Sequence, residues 1–366
     1  DIIDGRLIAE YYRPGEEYVL RVRNLNLDVG EAELGDGLRL DVNLLTAEFS
    51  PPGQDYWVTT TARGRIEGNL LELSTFVLRS PRSTVSGRGT LRIPGRGQEF
   101  VEGVDFYLEA SPLAFEEIRP FIPGLQAQGT ADVELRLRGS GRRLTVEAMA
   151  AFPDGGEFGI EGVITPGRGG PVEYELEVTA RQFDLQALLG ERAQNVVLNG
   201  DIDIRLQGTD LQHLTGSLNA VLVNSSFGPY TIPRAVLESQ WEDGRADFTL
   251  ATTLRGASLN VSGTARPFDD VPVYDVAGRV DNLNLGNFIE STSLTTDLAG
   301  RFRVQGEGVS AEAVDLTARI DLSPSRINGY PIESAQVTVD WKGDLLDFAS
   351  RVDVPEGNLV AEGLLD

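Results

Sequence analysis

The sequence predicts an all-β fold: an elongated, curled antiparallel sheet built from repeats, open like a trough, with a few one-turn helices. Three observations predict it. The chain repeats itself at a lag of 100 residues. Its apolar residues alternate with charged ones. Gly (41 residues) and Pro (18 residues) are plentiful enough to punctuate many short strands.

The repeat is read by adding one hundred to each number. Tyr230, Ile232, Trp241, Phe248 and Gly263 become Tyr330, Ile332, Trp341, Phe348 and Gly363. Gly200 becomes Gly300, and the pair Phe183/Leu185 becomes Leu283/Leu285. A fixed period means that each repeat packs mainly on its neighbours. The register divides the chain into a weakly repeating segment over 1–110, a short repeat over 111–180, a full repeat over 181–280 and a truncated repeat over 281–366. The stretch from Gly129 to Gly162 is expected to lack one hairpin that the later repeats have.

Period-two alternation marks the strands. Val133, Leu135 and Leu137 alternate with Glu134, Arg136 and Arg138. Val172, Tyr174, Leu176 and Val178 alternate with Glu173, Glu175 and Glu177. Ile202, Ile204 and Leu206 alternate with Asp203 and Arg205, and Phe302 and Val304 with Arg301 and Arg303. Successive side chains of a strand point to opposite faces, so each strand has one apolar and one charged face. Gly139, Gly208, Gly256, Gly306 and Gly343 stand where hairpins are expected to turn. Short helical segments are expected over 115–121, 184–189 and 286–289, with Asp184 as an N-cap and Pro120 and Pro123 limiting the first.

Composition excludes much chemistry. There is no Cys, one His (His213), one Met (Met149) and one Lys (Lys342) against a net charge of −24. The chain therefore has no thiol nucleophile, no thiolate zinc site and no multi-histidine metal centre. Its charge opposes nucleic-acid binding. His213 reads as a solvated turn residue, and the acid pairs Glu116/Glu117 and Asp269/Asp270 as solvated charges. The Gly-rich pieces at 87–89 and 95–97 lack the spacing of a nucleotide loop. No catalytic residue, metal site or cofactor is expected. No apolar run reaches the 18 residues of a bilayer-spanning segment. Residue 1 is Asp, inside an apolar pattern, so the chain reads as a piece of a longer protein.

A one-sided strand must cover its apolar face. A sandwich, a filled barrel and an open trough all do so, and the lack of linkers longer than a turn speaks against discrete domains. Three motif types then carry a resemblance. One is the strand Val133 to Gly139 (Val-Glu-Leu-Arg-Leu-Arg-Gly). Another is the closing strand, as in Leu259 to Ala265 (Leu-Asn-Val-Ser-Gly-Thr-Ala) and Ser83 to Leu91. The third is the short link, as in Phe183 to Leu189 and Leu283 to Phe288. This pattern resembles the repeats of the AsmA-like superfamily, most of all those of TamB proteins, over essentially the whole chain from about residue 58.

The resemblance implies a bacterial cell-envelope protein, anchored in the inner membrane in its full length and crossing the periplasm. It implies an apolar taco-like groove that carries phospholipid acyl chains towards the outer membrane. It also implies support of outer-membrane protein assembly and secretion with a TamA-type barrel partner, bound through parts outside this chain. The expected lining is Val133, Leu135, Leu137, Val172, Tyr174, Leu176, Val178, Ile202, Ile204, Leu206, Leu218, Leu222, Phe248, Leu250, Leu259, Val261, Phe302 and Val304. About 25 strands at ~4.8 Å spacing make a trough on the order of 100 Å long. The alternative is a structural or adhesive β-repeat stalk with a filled interior and no lipid transfer. A two-carboxylate polysaccharide hydrolase is a distant third, because it needs a localised acidic cleft.

Overall fold

The computed structural model describes residues 1–13, 16–34, 38–51, 54–92, 103–119, 127–153, 155–167, 170–189, 195–288, 293–309 and 313–365. They form 24 strands in an antiparallel sheet that does not close into a barrel, with only single helical turns besides. The all-β antiparallel class read from the alternation is what the chain adopts. By its contacts the chain divides into two compact units. The first holds Asp1–Pro166 and Leu176–Val196, the second Gly167–Glu175 and Val197–Asp366.

In the first unit, ten strands follow one another and each pairs with the next. They are β1 (Ile2–Arg13), β2 (Glu16–Leu34), β3 (Leu38–Ser50), β4 (Val58–Glu67), β5 (Leu70–Arg79), β6 (Thr84–Arg92), β7 (Asp105–Ala114), β8 (Thr130–Ser140), β9 (Arg143–Ala151) and β10 (Glu157–Thr165). β11 (Val172–Asp184) comes next, belonging to this unit from Leu176 on, and its last residue caps the turn α2 (Gln186–Leu189) as expected, Asp184 Oδ1 accepting from the Gln186 N–H at 2.9 Å.

A single turn, α1 (Phe115–Ile118), follows β7 directly. The expected helix is cut to that turn, residues 120–121 lying outside the described ones. Its two acids are not merely solvated, which corrects the reading above. Glu117 accepts from the hydroxyls of Ser80 and Ser83 and from the Arg82 N–H at 3.1 Å. Glu116 accepts from the Gly129 N–H at 2.9 Å and pairs with Arg82 at 3.3 Å. Burial alone pushes the Glu116 carboxyl up, but the Gly129 N–H and Arg82 outweigh it and leave it below the ordinary range. The latch seats Phe115 in a small core with Ala110, Leu113, Ala127 and Ala131.

The second unit repeats one plan twice. β12 (Val196–Gly208), β13 (Thr215–Phe227), β14 (Tyr230–Glu242), β15 (Arg245–Leu254) and β16 (Ala257–Arg266) precede β17 (Val273–Leu283). β18 (Thr296–Glu307), β19 (Asp315–Leu322), β20 (Ser325–Ile327), β21 (Tyr330–Ile332), β22 (Ser334–Lys342), β23 (Leu345–Val354) and β24 (Gly357–Leu365) follow. Where Asn224 lets β13 run on through a bulge, Pro324 lacks an N–H and splits the matching strand into β19 and β20. Ser225 and Ser325, one hundred residues apart, both tie their hydroxyls to the preceding strand, at Asn199 and Ala299.

The tight hairpins turn on left-handed pairs. Asp243-Gly244, Arg255-Gly256 and Asn328-Gly329 all have positive φ at both residues, the twist that suits antiparallel strands. Gly256 and Gly343 are turn residues as expected, but Gly139, Gly208 and Gly306 lie inside strands. Gly306 is needed there because a Cβ would run into the Asp315 carbonyl and the Leu316 side chain.

Candidate apolar groove

Direct cross-strand partners point to the same side of a sheet, so the register fixes which side chains share a face. In the second unit four rows run across β13 to β19 and β22 to β24. One is Ala220, Leu237, Leu250, Val261, Gly278, Phe302, Ile320, Val337, Ser350 and Ala361. The next begins at Leu218 and passes through Phe248, Val276, Val304 and Phe348 to Gly363. The outer two begin at Leu222 and Gly216 and end at Leu359 and Leu365. These four rows of ten hold no charged side chain.

The serine and threonine hydroxyls in the rows are turned into the backbone. Ser239 donates to the Leu218 carbonyl at 2.8 Å, Thr252 to Arg234 at 2.9 Å and Ser350 to Ala361 at 3.3 Å. Ser239 Oγ also accepts from Trp241 Nε1 at 3.0 Å. What this face presents is therefore mostly carbon.

The first unit carries the same kind of row. Leu27, Leu45, Ala62, Phe76, Gly87, Leu108, Leu135, Ala148 and Ile160 follow one another from β2 to β10. Large side chains sit beside glycines across the ladder. Phe76 occupies the space that a Cβ of Gly87 needs, Phe302 that of Gly278 and Phe348 that of Gly363. Each aromatic covers backbone that the glycine leaves bare.

All eighteen predicted lining residues are on described strands. Val133, Leu135 and Leu137 lie in the rows of the first unit; Leu218, Leu222, Phe248, Leu250, Leu259, Val261, Phe302 and Val304 lie in those of the second. Val172, Tyr174, Leu176 and Val178 alternate with exposed acids on β11, as do Ile202, Ile204 and Leu206 with exposed charges on β12. Seventeen of the eighteen are half-buried and only Val178 is buried. A filled interior predicts large buried aliphatics. Among the described residues the largest fully buried side chains are instead Phe183, Pro51 and Ser225, and most buried apolar residues are Ala.

Sequence reading missed many members of this face, among them Phe76, Phe106, Leu108, Leu237, Val276 and Val337. Their alternation was visible, but only the pairing register puts them beside the others. Trp241 and Trp341 are packing residues at the rim of the face, Trp241 stacked on Phe268 at 5.8 Å.

The opposite face is charged and laced with exposed ion pairs. Arg303 meets Asp275 at 2.7 Å and Lys342 meets Asp315 at 2.8 Å. Hydrogen bonds from Arg303 and Gln305 hold the Asp275 carboxyl below its ordinary range, and the Asp315 bond raises the Lys342 ammonium. At this exposure such pairs add little stability and mainly keep the face wet. His213 is exposed in the turn Leu211–His213 with Nδ1 2.7 Å from Asp210. Among the described residues no cluster of His, Cys, Asp and Glu is placed to hold a metal. Nor is any helix there long and apolar enough to cross a membrane.

No protein-family model, no curated protein and no solved structure matches the chain.

Proposed function

We propose that the chain is a non-enzymatic lipid conduit of the TamB type, whose apolar sheet face holds phospholipid acyl chains. The observation that carries this reading is the uncharged face of the second unit, left half-exposed rather than packed shut. A methylene moved from water onto such a face gains ~0.8 kcal/mol, and a lining of Leu, Val, Ala and Phe without fixed polar partners holds no chain at one position. The reading extends to a periplasmic location, an inner-membrane anchor and a TamA-type partner in the full-length protein, and to a share in outer-membrane protein assembly.

The test places Glu at Leu250, Val261 and Phe302, three positions of one row with Gly278 between the last two. The purified wild-type protein is expected to carry phospholipid in native mass spectrometry and to move fluorescent phospholipid between vesicles. The triple variant is expected to lose both while keeping the strand signal in circular dichroism. A folded triple variant that moves lipid at the wild-type rate overturns the proposal, and a wild-type protein free of lipid favours the stalk.

A further inference from the structure

The charged face of the second unit breaks a pairing rule twice. Arg279 on β17 lies directly opposite Arg301 on β18, and Arg303 on β18 directly opposite Arg319 on β19. Like charges in directly opposed positions repel. In a chain of net charge −24, four arginines gathered in one diamond stand out. Three of the four have a carboxylate. Arg279 grips Asp281 in a fork with both bonds at 2.9 Å, Arg303 meets Asp275 at 2.7 Å and Arg319 meets Asp321 at 3.1 Å. Arg301 has no hydrogen-bond or ion-pair partner among the described residues, although Asp321 is its direct neighbour on β19.

Arg301 and Arg279 open onto a hollow of about 640 Å³ on this face. Its floor brings Asn260, Ser262 and Thr249 to the same place, and Glu238 stands among its lining residues. The unpartnered guanidinium of Arg301, the remaining N–H groups of Arg279 beside its Asp281 fork, an amide and two hydroxyls supply donors around one space, with Glu238 the one carboxylate in the lining. Planar guanidinium forks match tetrahedral oxyanions and bind them more strongly than neutral donors do. A bound dianion also relieves the repulsion between the opposed arginines.

We propose that Arg301 and Arg279 form a binding site for an oxyanion of the phosphate class on the charged face of the second unit. It lies on the side of the sheet opposite the apolar rows, so it stands or falls independently of the lipid proposal. The same chemistry has two sources, a free phosphate group or a phospholipid headgroup.

The test is a titration of the whole chain with inorganic phosphate, read from the arginine Nε–H signals by NMR. Millimolar phosphate is expected to shift Arg301 and Arg279. Arg301→Gln is expected to weaken binding at least tenfold, with strand content unchanged. Arg205→Gln, on the charged face of β12, is the control and is expected to change affinity less than twofold. Flotation with phosphatidylcholine vesicles, with and without phosphatidic acid, separates the sources. Capture by the acidic vesicles alone identifies a headgroup site, and phosphate binding without capture a free-phosphate site. Phosphate that leaves the Arg301 signal unmoved, or an equal loss in both variants, overturns the proposal.

Discussion

The link after β11 and the link after β17 stand one hundred residues apart and are built differently. In the first unit Phe183 is 1% exposed and packs against Phe158 at 5.0 Å and Phe152 at 5.3 Å, with Phe152 in turn 6.1 Å from Phe115. In the second, Leu283 takes the same place and is only half-buried, beside the turn Leu285–Asn287. Both positions follow a residue with positive φ, Gln182 and Asn282, so the backbone device is shared and the packing is not. One sheet design thus supports a local aromatic core in one place and an open apolar face in another. The ladder gives the architecture, and the side chains decide how far each stretch closes.

The sharpest way to break this comparison is to truncate both positions. Phe183→Ala removes a fully buried ring and is expected to cost about 3–5 kcal/mol. Leu283→Ala removes a half-exposed side chain and is expected to cost no more than about 2 kcal/mol. Because two units need not unfold together, the measurement is hydrogen exchange resolved by segment rather than one melting curve. Equal costs at the two sites mean that the second region is as closed as the first.

A smaller effect tests the glycines on the open face. A Cβ at Gly278 collides with the Phe302 ring and lies 2.8 Å from the Asn260 carbonyl. Gly278→Ala is expected to cost about 1–3 kcal/mol by overpacking. Phe302→Ala in the same molecule should recover only part of it, because the carbonyl stays. Gly68→Ala is the contrast: nothing lies within 4 Å of its Cβ, so only the left-handed backbone (φ 59°) resists. A Gly278→Ala variant as stable as the wild type means that the ring is free to swing away from the ladder.

How much of this was legible follows from what each feature depends on. The strands were legible because alternation is a local property of the chain. The repeat was legible because the rare residues keep register: Trp241 faces Ala246 and Trp341 faces Leu346, while Phe248 faces Gly263 and Phe348 faces Gly363. Gly139 and Gly306 were read as turns because a glycine looks the same in a hairpin and under a neighbouring strand; only pairing separates the two. The Glu117 latch was hidden because it joins residues 34 and 37 positions apart, a link that no local pattern encodes. Arg279 and Arg301 looked like ordinary members of alternating strands until the register set them face to face.

The smallest expected effect concerns the lone histidine. The hydrogen bond that His213 Nδ1–H donates to Asp210, reinforced by the charges of Asp210 and Asp243, raises the imidazole above its ordinary value of 6.5. The protonated ring is thus the form the fold prefers. Its stabilisation is present below the ordinary value and fades as pH rises through the raised one. The ring is exposed, so solvent screens most of the effect on stability. Its titration is a cleaner reading, since no other histidine overlaps it. NMR is expected to give a midpoint above 6.5 in the wild type. Asp210→Asn should lower it towards the ordinary value, and Asp243→Asn should lower it less. An unshifted wild-type midpoint means that the 2.7 Å contact does not persist in solution, and that this turn of the second unit is looser than the ladder beside it.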